Sequence, residues 1–474
     1  METKALKDNK STEIDKGPAF GIRHLQVVFL FCLAIIVYGT RFGFSVSLVA
    51  MTQQNSPNPD VPIYNWTNTN ILLSTFFWGY VVPQLPTGIL STKIGGKYII
   101  LIAMFMNSFA SLLIPTVAIK IGIEGVAVCR VIQGLSQGVI VPSVHGLLGC
   151  WAPTHERTRM YGILVAGYTI GIITGLTSTG FMCASWTGWP LSFYVLPSFG
   201  LAWVVLYYFF GAAKPSLHSM ISVAERNYIE QSLNTQNIGN ICIPFKSILT
   251  SVPFLSTITM ALCSGWGFCI FTTELPIYMN KVMRFDIRSN GILSSLPHIC
   301  TLLSGTFAAF FADYLISRNY LSVGATRKIM SSIGSLGCSV LLLIVAYMPT
   351  GNRALVVVII TVAAAVRSLN TAGFNVNHLD LAPNFGSTLM GMTNTGSELF
   401  SLITPIAIQY IVYNEEDQHL WRIVFLTAVG FYIFSTIIFV TFGSGERQRW
   451  NYVQKIDQEE DSRYYIETGD REKI

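Results

Sequence analysis

The stretch Leu25-Gln-Val-Val-Phe-Leu-Phe-Cys-Leu-Ala-Ile-Ile-Val-Tyr-Gly-Thr-Arg41-Phe-Gly-Phe-Ser-Val-Ser-Leu-Val-Ala50 carries a single charge, Arg41. A helix of this length crosses the roughly 30 Å hydrocarbon core of a bilayer, which needs about 20 apolar residues. Apolar side chains cover every face, so no side is left for water. A polar 24-residue leader precedes it and no small-residue cleavage site follows, which reads as a retained span and not a removed signal segment.

Eleven further runs have the same character, at 70–90, 98–119, 125–149, 159–182, 189–210, 252–278, 289–316, 327–348, 354–377, 387–413 and 421–442. Composition agrees. Charged residues make up 12% of the 474, about half the share of a soluble domain, while 51% are hydrophobic. The mean hydropathy is +0.51. So few charges cannot cover a soluble surface, and membrane lipid is the expected neighbour. The runs are apolar all round and not alternating, which excludes a closed β-barrel. Nine scattered cysteines without a CxxC pair exclude a zinc finger and a disulfide scaffold. A net charge of +5 with no basic block leaves nucleic acid without a docking surface.

Lysine and arginine set the orientation. With both termini cytoplasmic, 21 of the 30 fall on the cytoplasmic side, six on the other, and Arg41, Arg130 and Arg367 lie within spans. Asn65-Trp66-Thr67, an N-glycosylation acceptor, falls in the first outside loop. The longest polar interruption, 211–251, divides the chain into halves at 25–210 and 252–442. A faint echo joins them: Gly88-Ile-Leu-Ser-Thr-Lys93 and Ala309-Phe-Phe-Ala-Asp313-Tyr314 both close a second span. Two six-span halves around a central site form a secondary-transporter architecture. The leader, 1–24, and the part of the tail, 443–474, that follows Gly445 are rich in charge and poor in apolar residues, and read as flexible.

A charge inside a span is costly, and each one needs a reason. No acid stands at helical spacing from Arg41, so its partner comes from another helix or from the substrate. An interhelical salt bridge is the plain reading. A guanidinium fork suited to carboxylate or phosphate is the functional one, and it is preferred here. Arg130, Gly134, Gln137 and Gly138 lie near one face of the fourth span. A link from that span to the first and a direct contact with substrate are about equally consistent with this. Arg367 is the third buried cation. Glu274 and Glu398 are the candidate counter-charges, and three cations against two acids favour an anionic substrate. His298, next to Pro297, is either a packed histidine or a proton relay, with packing the commoner case. Gly167-x3-Gly171-x3-Gly175 indicates close helix packing. There is no Walker A loop, HExxH motif or nucleophile elbow, so neither ATP-driven pumping nor hydrolysis has visible machinery, and no cofactor or metal site is expected.

Gly88–Lys97 resembles the loop between spans two and three of the major facilitator superfamily. Several other segments are similar to its anion–cation symporter family, which contains sialin, the vesicular glutamate transporters and the type I sodium/phosphate cotransporters. They are Phe77–Tyr80, Arg130–Gly138, Trp151–Arg159, Arg327–Met330, Gly373–Asp380 and Phe442–Gly445. The resemblance runs from about residue 21 to about 450. It implies an all-α, twelve-span carrier working by alternating access, with Arg41 and Arg130 lining the substrate cavity.

Three departures stand out. Gln137 replaces a glutamate tied to proton coupling, Leu73 a histidine, and Ser264 a second cavity arginine. Thr273-Glu274-Leu-Pro-Ile-Tyr278 resembles the sodium/phosphate branch and its insect members, while Thr92 stands where the superfamily loop often has Asp. The resemblance thus points to sodium-linked symport of phosphate or a small organic anion. The plasma membrane is the expected location, and Gln137, Glu274, His298 and Glu398 are the candidate coupling or gating residues. A voltage-driven uniporter, a proton-coupled sialin-like carrier and a transport-dead sensor or scaffold are the alternatives.

Overall fold

The computed structural model describes residues 20–52, 58–66, 69–84, 86–87, 96–153, 156–234, 244–349, 351–382 and 385–451. The leader up to residue 19, the segment carrying Thr92, residues 235–243 and the tail beyond Asn451 lie outside them. The described elements are helical. The first half holds α1 (Ile22–Thr52), α2 (Thr69–Val81), α3 (Gly96–Lys120), α4 (Ile123–Trp151), α5 (Arg157–Cys183) and α6 (Pro190–Phe210). A linker helix, Val223–Asn234, leads to the second half. There follow α7 (Val252–Lys281), α8 (Ile287–Ser317), α9 (Val323–Tyr347), α10 (Arg353–Leu381), α11 (Gly386–Ile411) and α12 (Gln418–Phe442). Ten of these are long and apolar enough to cross a membrane. The other two are α2, described over 13 residues, and α11, whose middle carries Thr393, Asn394, Thr395, Ser397 and Glu398.

The packing order repeats between the halves. In the first, α1 packs on α5 and α6, α2 on α4, and α3 on α4 and α6. In the second, α7 packs on α11 and α12, α8 on α10, and α9 on α10 and α12. Each pair in one half has its counterpart six helices later. The main seams between the halves, α2 with α11 and α5 with α8, exchange under the same operation. The molecule is therefore a pseudo-two-fold pair of six-helix bundles. Its rim exposes apolar side chains such as Phe105, Phe109, Phe307, Phe310, Phe434 and Ile437, as a lipid-facing surface requires.

Small residues set the approach of the helices. A Cβ on Gly171 would stand 2.7 Å from the Ile35 carbonyl, so the Gly167–Gly175 ladder packs α5 on α1 as expected. At the seam, a Cβ on Gly180 would stand 2.9 Å from Gly291 Cα. The halves also join at the end of the bundle away from the start of α1. There the Asn70 N–H donates to Gln409 Oε1 at 3.1 Å and Thr69 Oγ1 to Glu415 Oε1 at 2.7 Å.

The start of α1 is anchored differently. The buried Glu225 of the linker helix accepts the Ile22 and Arg23 N–H groups, each at 3.0 Å, and Arg23 Nη1 at 3.1 Å. A carboxylate there caps free donors and suits the positive end of the helix dipole. Arg23 Nε also donates to Glu156 Oε2 at 2.8 Å, and this guanidinium holds the Glu156 carboxyl below its usual range. The Trp151–Arg159 block is thus a brace: the Trp151 indole donates to the Ala212 carbonyl at 2.9 Å while Glu156 clamps Arg23. A matching brace serves the second half. Arg327 Nε bonds Asp380 Oδ2 at 2.8 Å and Nη1 donates to the Ala372 carbonyl at 2.9 Å.

One expectation needs correction. Residues 446–451 are docked and not flexible: the Gln448 N–H donates to the Leu381 carbonyl at 2.8 Å, and Trp450 joins a cluster with Leu381, Phe385 and Phe254. A lone tryptophan in a polar segment supplies the apolar area that tethers it.

Candidate anion site between the halves

Arg41 on α1 and Arg130 on α4 are both buried, at 4% and 3% exposure. They reach the same aromatic box. The guanidinium carbon of each lies 4.8 Å from the Phe76 ring centroid, so the two are no more than 9.6 Å apart. Arg41 also faces the rings of Phe42, Phe77 and Tyr80 at 4.9, 5.0 and 4.6 Å, and Arg130 lies 4.0 Å from that of Phe44. Ring faces carry negative quadrupole density and accept cations without neutralising them. α2, which supplies Phe76, Phe77 and Tyr80, comes this close because α4 carries glycines. A Cβ on Gly134 would run into the Phe76 carbonyl, and one on Gly138 into that of Tyr80. The face shared by Arg130, Gly134 and Gly138 is real, and its glycines serve α2.

The two arginines are paired differently. Arg41 Nη2 donates to Glu398 Oε2 at 2.9 Å, joining α1 of one half to α11 of the other. The interhelical salt bridge, the plain reading of Arg41, is therefore the one present, and its acid is the candidate counter-charge Glu398, 357 residues away. Arg130 forms no ion pair among the described residues. Its Nη1 donates to Gln133 Oε1 at 2.9 Å, Gln133 in turn donates to Ser111 Oγ, and its Nε has no partner. The space between the arginines is lined by both of them and by Phe42, Ser45, Leu73, Phe76, Phe77 and Thr273. It leaves about 10 Å³ for the centre of a water-sized body, room for about one water. Two cations on this lining, with the Glu398 carboxylate paired to Arg41 outside it, favour a negative occupant.

The remaining candidates divide. Arg367, on α10, lies outside this lining. Its guanidinium carbon is 5.9 Å from the Phe268 ring, and that ring packs edge-on against Phe42, 5.9 Å between centroids. Gln137 also lies outside the lining and donates to Asn107 Oδ1 at 2.9 Å. Glu274 is fully buried in α7, and neither carboxyl oxygen has a hydrogen-bond partner. Among the described residues it pairs with no arginine, and so it is not the counter-charge expected.

His298 has a structural duty. α7 takes a π turn over Ile270–Glu274, where the Leu275 N–H bonds back to the Ile270 carbonyl. The next donor in that register is Pro276, which has no N–H, so the Phe271 carbonyl loses its partner. His298 Nε2 sits 3.4 Å from that carbonyl and replaces it. Asn65 is exposed in the connection from α1 to α2. Among the described residues no three His, Cys, Asp or Glu side chains gather as a metal site.

Comparison with known proteins agrees with this geometry. Residues 30–405 match the family model described as Major Facilitator Superfamily. The chain belongs to the major facilitator superfamily. Within the superfamily its relatives are carriers and not enzymes. It is 34% identical to a Drosophila melanogaster protein named "Putative inorganic phosphate cotransporter", over 95% of this chain and 90% of that one. It is 30% identical to human sialin over 90% of each chain. With human vesicular glutamate transporter 2 it shares 29% identity over 96% of this chain and 81% of the other. Among solved structures, its fold matches an inward-facing bacterial homologue of the human lysosomal transporter Spinster, with a TM-score of 0.63 at 13% identity over 89% of this chain and 98% of that one. It also matches a D-xylose–proton symporter, with a TM-score of 0.62 at 14% identity over 89% and 100%. This major facilitator chain thus has the pseudo-symmetric fold of its superfamily, with a cationic pocket at the seam.

Proposed function

We propose that the protein carries a small anion, inorganic phosphate or a compact organic acid, by alternating access with sodium as the co-transported ion. The observation that supports this best is Arg130, a buried guanidinium with no acid partner, facing a cavity that already holds Arg41. A monoanion entering there meets two cations, one of them paired with the Glu398 carboxylate outside the lining, and it can take the planar donor fork that Arg130 leaves only partly used. The name of the insect relatives supports phosphate, and the names of sialin and the glutamate transporters support organic acids. The sodium assignment rests on resemblance to the phosphate branch.

In this reading all twelve expected spans cross the membrane, α2 and α11 included, and both termini are cytoplasmic. The braces at Arg23 and Arg327 then face the cytoplasm, and Asn65 is glycosylated on the outside. The excess of lysine and arginine in the leader, the loops on that side and the tail supports the orientation. Absence of an acidic dileucine motif from either tail supports the plasma membrane.

Uptake of radiolabelled phosphate by cells expressing the protein, with and without a sodium gradient, tests the assignment. Sodium-driven accumulation is expected. Uptake that ignores sodium and follows membrane potential would make the protein a uniporter, and no uptake of any anion would leave a scaffold.

A further inference from the structure

Resting on that reading, we propose that Glu398 is the coupling residue: an entering anion takes Arg41 from it, and a cation, sodium or a proton, binds the carboxylate so released. The geometry leaves few other outcomes. Arg41 and Glu398 are in contact at 2.9 Å, both buried, and the space that Arg41 lines admits about one water. An anion larger than water must displace something, and Glu398 is the negative group already on Arg41. Once displaced, the carboxylate sits 7% exposed without its cation. A buried unpaired charge is strongly unfavourable, so the carboxylate acquires a new positive partner or anion binding fails. Anion and cation therefore enter as a pair, one for Arg41 and one for Glu398, and the charge of the pocket is unchanged.

The surroundings assign this role to Glu398. The groups facing it are Arg41 and Tyr38 on α1, Tyr80 on α2 and Cys269 on α7. α12 and the end of α10 also pack on α11, and neither presents a charged group to Glu398 among the described residues. Gln137 has no proton to trade. Glu274 touches neither arginine, and His298 is committed to the Phe271 carbonyl. The pair also straddles the seam between the halves, so its making and breaking follows their relative position. A carboxylate at this point exchanges Arg41 for a cation only in step with alternating access.

The test is calorimetry of the purified full-length protein with inorganic phosphate, in sodium chloride and in choline chloride, using two buffers of different ionisation enthalpy. For the unmodified protein, a sodium partner makes binding weaken about tenfold per tenfold fall in sodium. A proton partner makes it take up about one more proton per anion than Glu398→Gln does, since the ionisation of phosphate itself is common to both. Glu398→Gln should bind phosphate without sodium and without that extra proton, and Glu398→Asp should restore the dependence. Glu398→Ser, smaller and neutral, gives the same readout should the glutamine variant not be recovered. Cation dependence unchanged in the neutral variants overturns this proposal alone. An unmodified protein that never binds phosphate, in any of these conditions, overturns the phosphate reading and this proposal with it.

Discussion

Replacing each pocket arginine by methionine should move stability in unlike ways, although both variants should lose transport. Arg41→Met removes the partner of Glu398 and strands a buried carboxylate, which costs about 3–5 kcal/mol. Arg130→Met removes a cation that has no acid partner. It gives up two ring contacts of about 0.5–2 kcal/mol each and a charged hydrogen bond to Gln133 of about 1.5–3 kcal/mol. Against that it relieves a desolvation penalty of several kcal/mol for the buried guanidinium. These terms offset to within about 2 kcal/mol, so Arg130→Met should be close to neutral while Arg41→Met is clearly destabilised. Denaturant titration of the purified variants, followed by tryptophan fluorescence, measures both changes. Phosphate should stabilise the unmodified protein and leave Arg130→Met unaffected, because the anion loses a fork worth about 1.5–3 kcal/mol, roughly 10- to 150-fold in affinity. Equal destabilisation of the two variants would refute the unequal pairing, and phosphate binding by Arg130→Met at the unmodified level would remove it as an anion anchor.

Three further outcomes are expected. Asn65→Gln should abolish a glycan-dependent gel shift, and tags at either terminus should stain only permeabilised cells; staining of intact cells would reverse the orientation. His298→Gln should keep uptake and its pH profile, since the amide can still donate to the Phe271 carbonyl, whereas His298→Ala should lose about 1–3 kcal/mol of stability in the same denaturant titration. Glu156, held below its ordinary value of 4.5 by Arg23, contributes stability that is full above that value and is lost as pH falls through the lowered one. The stability gap between the unmodified protein and Glu156→Gln should accordingly close below pH 4.5, and a gap constant with pH would contradict the clamp.

The architecture was largely legible because a bilayer demands long apolar helices, and Leu25–Ala50 alone announces one. The arginines were legible for the converse reason: a charge such as Arg41 in such a run is conspicuous. Pairing was not. Arg41 and Glu398 meet only because α1 and α11 converge at the seam, and no local spacing encodes contacts between halves. The polar middle of α11 was the available signal, since Thr393, Asn394, Thr395, Ser397 and Glu398 would be intolerable against lipid. The task of His298 could have been found from Pro276, whose missing N–H orphans a carbonyl on α7. The docking of Trp450 was masked by its charged neighbours. The isolation of Glu274 has no account in the structure.

Two described polar segments each dock on one bundle. The linker helix is pinned to the first half through Glu225, and residues 446–451 to the second through Leu381 and Trp450. They are ready-made rulers: paramagnetic labels at the exposed Asn227 and Arg447 report two rigid bodies from outside the bilayer. If the protein works by alternating access as proposed, the distance between them reads out the rocking, taken without touching a residue of the pocket.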